Sequence, residues 1–191
     1  MTSTDIDIQK ALTILAVGEA IIYPTDTLPG LGVDATDAAA VDGLNNLKGR
    51  RQPLSILLHD LDDLEKYVIM KPETRSLAQE LLPGPYTLLL PIRQSKLAAN
   101  LTDGSPLVGV RIPDHDFPRN LVRAYGKPIT TTSVNRHGEP ALCMLEDIRK
   151  QFPNTSAFQI TASCKSEGST IIDCSENPAR VVRQGDGIYP L

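Results

Sequence analysis

The sequence predicts an α/β chain of the α+β-like kind: an open twisted mixed sheet with helices packed on it. Three observations predict it. Short apolar runs bounded by turn residues recur, as at residues 20–23, 107–112 and 169–173. Stretches with helical spacing of apolar residues stand among them, as at 4–17 and 37–47. The two kinds mix without the strict alternation of a doubly wound fold.

The elements follow in order. Ile8, Ala11, Leu12, Leu15 and Ala16 make one apolar stripe over residues 4–17, with Thr4 as the expected cap and Gly18 just past the end. Residues 20–23 read as a buried strand that stops at Pro24, and a glycine-containing loop then runs to Gly32. Asp37 starts a helix through Ala38, Val41, Leu44 and Leu47, and Gly49 ends it. A strand at 53–58 and helices at 60–68 and 72–82 come next. The Pro83-Gly84-Pro85 turn leads to strands at 86–92 and 107–112. A helix at 117–125, a strand at 128–132, a turn with Ser133, Asn135 and Gly138, and a helix at 145–152 follow. Strands at 157–161, 169–173 and 179–183 close the chain. No repeat and no low-complexity linker interrupts it, so residues 1–191 read as one domain.

Composition narrows the function classes. The chain is 41% hydrophobic and 4% aromatic, with no Trp, so its core is aliphatic and stacking platforms for single-stranded nucleic acid are scarce. A formal net charge of −4 lacks the basic surplus of a protein that wraps nucleic acid nonspecifically. Cys143, Cys164 and Cys174 form no CxxC pair, and an odd count without close spacing argues against a disulfide framework or a zinc site. Met1 to Lys10 is acidic and polar, unlike a signal peptide. No apolar run approaches the ~18 residues of a membrane span. A cytoplasmic, reduced protein with no membrane association is the expectation.

Common phosphate-binding signatures are missing. There is no P-loop, Gly30-Leu31-Gly32 lacks the third glycine of a dinucleotide fingerprint, and there is no Gly-x-Ser-x-Gly elbow. His59, His115 and His137 lie far apart with no metal spacing, and Asp114-His115-Asp116 reads as a solvated loop.

Five segments carry the remaining chemistry, each open to two readings. Pro24-Thr25-Asp26-Thr27 is either a ligand-binding strand end or a turn that satisfies its own backbone. Lys48-Gly49-Arg50-Arg51 is either a set of cations favoured by a helix C-terminus or a polyphosphate clamp. Arg111, inside an apolar strand, requires an anionic partner, either a structural carboxylate or one on a substrate. Thr130-Thr131-Thr132-Ser133-Val134-Asn135 supplies either strand threonines and a turn, or groups that donate to phosphate oxygens or orient a metal-bound water. Ser169 and Arg183 lie on two tail strands that can bring them to one edge.

Taken in order, these pieces resemble the YrdC-like family, whose best-known members are threonylcarbamoyl-AMP synthases. The resemblance rests on Pro24-Thr25-Asp26-Thr27 with Gly30-Leu31-Gly32, Lys48-Gly49-Arg50, Pro53-Leu54, Pro83-Gly84-Pro85-Tyr86-Thr87, Val110-Arg111-Ile112-Pro113, Thr132-Ser133-Val134-Asn135, Ser169-Thr170-Ile171-Ile172-Asp173 and Arg183-Gln184-Gly185, from about residue 8 to the C-terminus. It implies a YrdC-like fold with a central cationic cavity. It implies condensation of L-threonine, bicarbonate and ATP into threonylcarbamoyl-adenylate with release of pyrophosphate, a nucleotidyltransferase reaction. The product would feed tRNA threonylcarbamoyladenosine modification by partner proteins. By motif match Thr27, Arg111 and Ser169 contact threonine, and Lys48, Arg50, Ser133, Asn135 and Arg183 contact ATP. No side chain is assigned as nucleophile or base. A magnesium ion is expected on the phosphates, with no ligand from protein side chains.

The chain departs from the pattern in four places. Val134 stands where Ala is usual, Pro29 replaces an aromatic residue, the segment between Arg50 and Pro53 is short, and Leu57 stands where some relatives carry His. These leave two alternatives: a module that binds tRNA or double-stranded RNA, and a paralogue acting on another amino acid.

Overall fold

The computed structural model describes residues 2–94, 96–160 and 164–189. Five α-helices, one 3-10 helix and nine strands are found among them. Helix α1 (Ser3–Ala16) is capped by Thr2, not by the expected Thr4: the Thr2 hydroxyl accepts from the Asp5 amide while the Asp5 carboxylate takes the Thr2 amide. Strands β1 (Ile21–Tyr23) and β2 (Gly30–Gly32) form an antiparallel pair. Helix α2 (Ala38–Lys48) starts on the Asp37 carboxylate and ends at Gly49, whose φ of 75° is the left-handed cap that glycine adopts without cost. Then come β3 (Ser55–Leu57), the 3-10 helix Leu61–Lys66, α3 (Pro72–Leu81), β4 (Tyr86–Pro91) and β5 (Leu107–Arg111). Helix α4 (Asp116–Tyr125), β6 (Ile129–Ser133), α5 (Leu145–Gln151), β7 (Ser156–Ala157), β8 (Thr170–Asp173) and β9 (Arg180–Arg183) complete the order.

The strands join in one mixed sheet, β7-β1-β2-β6-β3-β5-β4-β8-β9. The pairs β1–β7, β3–β5 and β4–β8 are parallel and the others antiparallel. The expectation of an open mixed α/β sheet with helices packed on it holds. No helix of the described residues is long and apolar enough to cross a membrane.

Strand periodicity sorts the core into two layers. Ile22, Ile56, Leu88, Val110 and Ile172 point to one face, where Val41 and Leu44 of α2 and Ala78 and Leu81 of α3 cover them. Ile21, Tyr23, Leu57 and Ile129 point to the other, under Ile8, Ala11 and Leu15 of α1 and Phe117 and Leu121 of α4. Strands buried on both faces read as continuous apolar runs, which is why residues 20–23 show no alternation. The second face is covered by α1 and α4 over only part of the sheet. Registers carry that face on through Thr131 opposite Ser55, Arg111 opposite Leu57, and Thr87 opposite Ile171. Polar residues replace the apolar ones there, and the uncovered part becomes the floor of a cavity.

Four further expectations need correction. The glycine stretch read as a loop contains β2. A Cβ on Gly30 would lie 2.6 Å from the Tyr23 ring, and one on Gly32 would lie 2.2 Å from the Thr130 carbonyl oxygen. These glycines permit close packing across strands, a use that local sequence does not distinguish from a turn. The helix expected at 60–68 is the six-residue 3-10 turn, closed by i→i+3 bonds such as Tyr67 N to Leu64 O. The strand expected at 157–161 pairs only over Ser156–Ala157, because Gln159 takes φ 47° and turns the chain away. Thr161 of that expected strand lies outside the described residues.

The fourth correction concerns the cysteines. Cys143 and Cys164 are disulfide-bonded, their Cα atoms 5.4 Å apart, and Cys174 is free and buried. The pairing is made by tertiary return: α5 and β7 lie between the two residues and bring the chain back. Spacing along the sequence carries no sign of it.

Candidate active site

The uncovered sheet face floors a cavity of about 490 Å³. Ser55 of β3, Thr87 of β4, Arg111 of β5 and Thr131 of β6 line its floor. Its walls are the segment from Thr27 to Gly30, the end of α2 with Lys48 and Arg50, the turn from Ser133 to Gly138, and the chain at Gly168 and Ser169 beside Arg183. All eight residues singled out as ligand contacts line this one cavity: Thr27, Arg111, Ser169, Lys48, Arg50, Ser133, Asn135 and Arg183. With Arg136 the lining carries five cations, and Glu167 is its single carboxylate among the described residues.

One corner is built around Arg111. Leucine and valine make β5 a core strand, and the registers that bury them bring Arg111 to the cavity side at the strand end. Its Nη2 donates to Asp26 Oδ1 at 2.8 Å and to Thr27 Oγ1 at 3.1 Å. Asp26 Oδ2 accepts the Asp114 amide at 3.1 Å. Both readings of Pro24-Thr25-Asp26-Thr27 therefore hold. Thr25 Oγ1 donates to Leu28 O and accepts from Thr27 N, whereas Asp26 and Thr27 build the site. The structural carboxylate for Arg111 is Asp26, yet the guanidinium is only partly used. Among the described residues, Nε is buried without a partner and Nη1 makes no hydrogen bond. Burial works against the Arg111 charge and Asp26 restores it. Burial also pushes the neighbouring Tyr23 phenol up to about 12, and its hydroxyl donates to Thr130 O at 3.0 Å.

The opposite corner is built around Lys48. Its ammonium is buried and donates to Ser133 O at 2.7 Å, Asn135 O at 3.1 Å and Asn135 Oδ1 at 2.8 Å. An ammonium has three hydrogens, so all three are spent on the turn after β6. Ser133 Oγ also donates to Asn135 Oδ1 at 2.9 Å, and Asn135 Nδ2 donates to Glu139 O. Lys48 thus shapes the turn that presents Ser133 and Asn135. Burial, and then the charge on Arg50, push its ammonium down to about 8. Arg50 extends to His137 Nδ1 at 3.2 Å. Arg51 departs from the site and pairs with Asp42 on the surface. One short segment thus divides three ways: a buried brace, a cavity cation and a surface ion pair.

A third corner holds Ser169 and Arg183. Ser169 Oγ lies 2.7 Å from Thr87 Oγ1, and Arg183 Nη2 donates to Ser169 O at 2.7 Å. Gly109 sits beneath this floor, where a Cβ would stand 2.2 Å from Ser55 Oγ. The disulfide lies just outside, two residues from Ala141 and three from Glu167, both of which line the cavity.

Several lining residues escaped the sequence reading: Ser55, Thr87, Arg136, His137 and Glu167. Thr87 stands in the run Tyr86-Thr87-Leu88-Leu89-Leu90, where no period of two marks it, and it is buried beside Leu88. Arg136 and His137 belong to the same turn as Asn135 and were reachable from it. Nothing local marks Glu167. Two other groups resolve into structural roles. His115 caps α4 through Nδ1, which accepts the Phe117 amide, and His59 pairs with Asp60, neither lining the cavity.

The model of the Sua5_yciO_yrdC family, described as "Telomere recombination", matches residues 13–185. The chain belongs to the Sua5/YciO/YrdC family. Among curated relatives, the rat threonylcarbamoyl-AMP synthase is 33% identical over 178 residues, 88% of this chain and 62% of that protein. The Bacillus subtilis (strain 168) threonylcarbamoyl-AMP synthase is 30% identical over 190 residues, 97% of this chain and 55% of that protein. The chain therefore spans little more than half the length of these family members. Among solved structures, P. abyssi Sua5 complexed with L-threonine superposes with a TM-score of 0.85 at 30% identity, covering 93% of this chain and 54% of that one.

Proposed function

We propose that the chain is an L-threonylcarbamoyladenylate synthase, condensing L-threonine, bicarbonate and ATP with release of pyrophosphate. The observation that carries this reading is the division of a single cavity. A guanidinium with an open nitrogen, Arg111, stands among hydroxyls at one corner, and Arg50 with Arg136 stands at another. A cation among hydroxyls suits the carboxylate, ammonium and hydroxyl of an amino acid, and a run of cations suits a polyphosphate. The curated relatives named threonylcarbamoyl-AMP synthase, and the relative solved with L-threonine, support the same assignment.

The chemistry asks little covalent work of the protein. The threonine amine adds to bicarbonate and water leaves, giving a carbamate. A carbamate oxygen then attacks the α-phosphorus, and pyrophosphate departs. Among the described residues the lining contains no cysteine and its only carboxylate is Glu167, which fits catalysis by positioning and charge stabilisation. Arg111 and Thr27 orient the threonine carboxylate, and the Thr87–Ser169 hydroxyl pair lies beside it. Arg50, Ser133 and Arg183 face the nucleotide, with Lys48 and Asn135 bracing that wall. Magnesium enters as part of the ATP substrate, held by the phosphates and neutralising charge on them. The adenylate product would pass to the partner proteins that modify tRNA, in the cytoplasm. Pyrophosphate release from ATP that requires both threonine and bicarbonate tests the reading.

A further inference from the structure

We propose that His137 is an additional residue of the nucleotide site, orienting Arg50 through Nδ1 and presenting Nε2–H to a polyphosphate. This rests on the reading above that phosphates occupy the Arg50 end of the cavity.

His137 lines the cavity, and its Nδ1 lies 3.2 Å from Arg50 Nη1. A guanidinium can only donate, so Nδ1 is the acceptor and carries no proton. The ring is then neutral, and its one N–H is on Nε2. The His137 amide donates to Lys48 O at 2.9 Å, which pins the ring beside the C-terminal end of α2. Among the described residues the imidazole is the only hydrogen-bond partner of the Arg50 side chain.

The neighbourhood explains why a neutral acceptor matters. Lys48 and Arg50 come from the end of α2 and Arg136 from the same turn, while Glu167 and Arg183 stand on other walls of the cavity. Glu139, next along the turn, is taken by Gln151. Among the described residues no carboxylate meets Arg50, and His137 is what fixes the direction of its guanidinium. Lys48 has spent all three hydrogens on Ser133 and Asn135. Donors to phosphate at this end must come from other groups, and Arg50 with His137 forms a pair aligned by one hydrogen bond. Nε2–H points away from the Nδ1–Arg50 bond, so neighbouring phosphates of one polyphosphate would accept from Arg50 and from Nε2–H in turn.

The test is Mg–ATP binding by calorimetry, and KM for ATP and threonine, in the full chain and in His137→Ala, His137→Asn and His137→Gln. Asn places an oxygen where Nδ1 stands and keeps the acceptor for Arg50. Gln places an amide donor near Nε2 and loses that acceptor. His137→Ala should weaken Mg–ATP binding about tenfold while KM for threonine stays within about twofold. His137→Asn should recover part of that loss. Wild-type Mg–ATP affinity in His137→Ala, equal losses for ATP and threonine, or no recovery in either conservative variant would overturn the proposal. Calorimetry reads the site without turnover. A wild-type chain that binds Mg–ATP but releases no pyrophosphate would refute the synthase reading and leave the His137 result to stand by itself.

Discussion

Arg111 meets Asp26 through a single nitrogen: Nη2 is 2.8 Å from Oδ1, and Nη1 has no hydrogen-bond partner among the described residues. A purely structural ion pair would use the guanidinium fork more fully. The half-used fork leaves Arg111 able to take the carboxylate of the proposed amino-acid substrate, with Asp26 and Thr27 fixing its position. Arg111→Ala should therefore raise KM for threonine at least about tenfold more than KM for ATP. Steady-state kinetics in each substrate check this, and equal effects on both would contradict the division of the site.

Lys48 predicts the opposite preference and a pH dependence. Lys48→Ala removes the brace under Ser133 and Asn135, so ATP affinity should fall more than threonine affinity. Its folded-state value of about 8 is lower than its ordinary 10.5. Between those values the unfolded chain binds the extra proton, so this group makes stability rise with pH from about 8 to 10.5. Over the lower part of the same range the cavity loses a positive charge, and Mg–ATP binding should weaken. Urea unfolding and calorimetry across pH 7–10 would read both trends, and Lys48→Met should flatten them.

How much of this was legible in the sequence depends on whether the signal was local. Asp37 and Gly49 bound α2 as a cap and a left-handed end, and both stand at its termini. Local chemistry of that kind is written where it acts. Gly30 and Gly32 were misread because the ring and carbonyl that require them belong to Tyr23 and Thr130, on neighbouring strands. The candidate site followed the same rule. Its residues stood out at strand ends and helix ends. Their pairings did not, because Asp26 and Arg111 lie 85 residues apart and Lys48 and Asn135 lie 87 apart. For the same reason nothing local to Lys48 shows that it braces the turn at Ser133 and Asn135. The Cys143–Cys164 bond was hidden in the same way.

The close approach at Gly32 makes a stability prediction. A methyl group there would lie 2.2 Å from a backbone oxygen, which cannot swing aside as a side chain would. Gly32→Ala should cost about 1–3 kcal/mol, the usual range for overpacking. A shift in the urea midpoint with unchanged slope measures it.

The disulfide closes a loop with a sequence separation of 21. Cys143→Ser should lower stability by about 3 kcal/mol under oxidising conditions, through the larger freedom of the unfolded chain. With a dithiol reductant present, wild type and variant should unfold together. A constant difference in both conditions would mean that Cys143 acts through packing.

In the proposed reaction one cavity joins an amino acid to a nucleotide. Its most direct measurement is pyrophosphate release from ATP by the wild-type chain, with threonine and bicarbonate each present or withheld. The cavity with Arg111 at one corner and Arg50 at another predicts release only when both co-substrates are present. Release that continues at the same rate without threonine would contradict it.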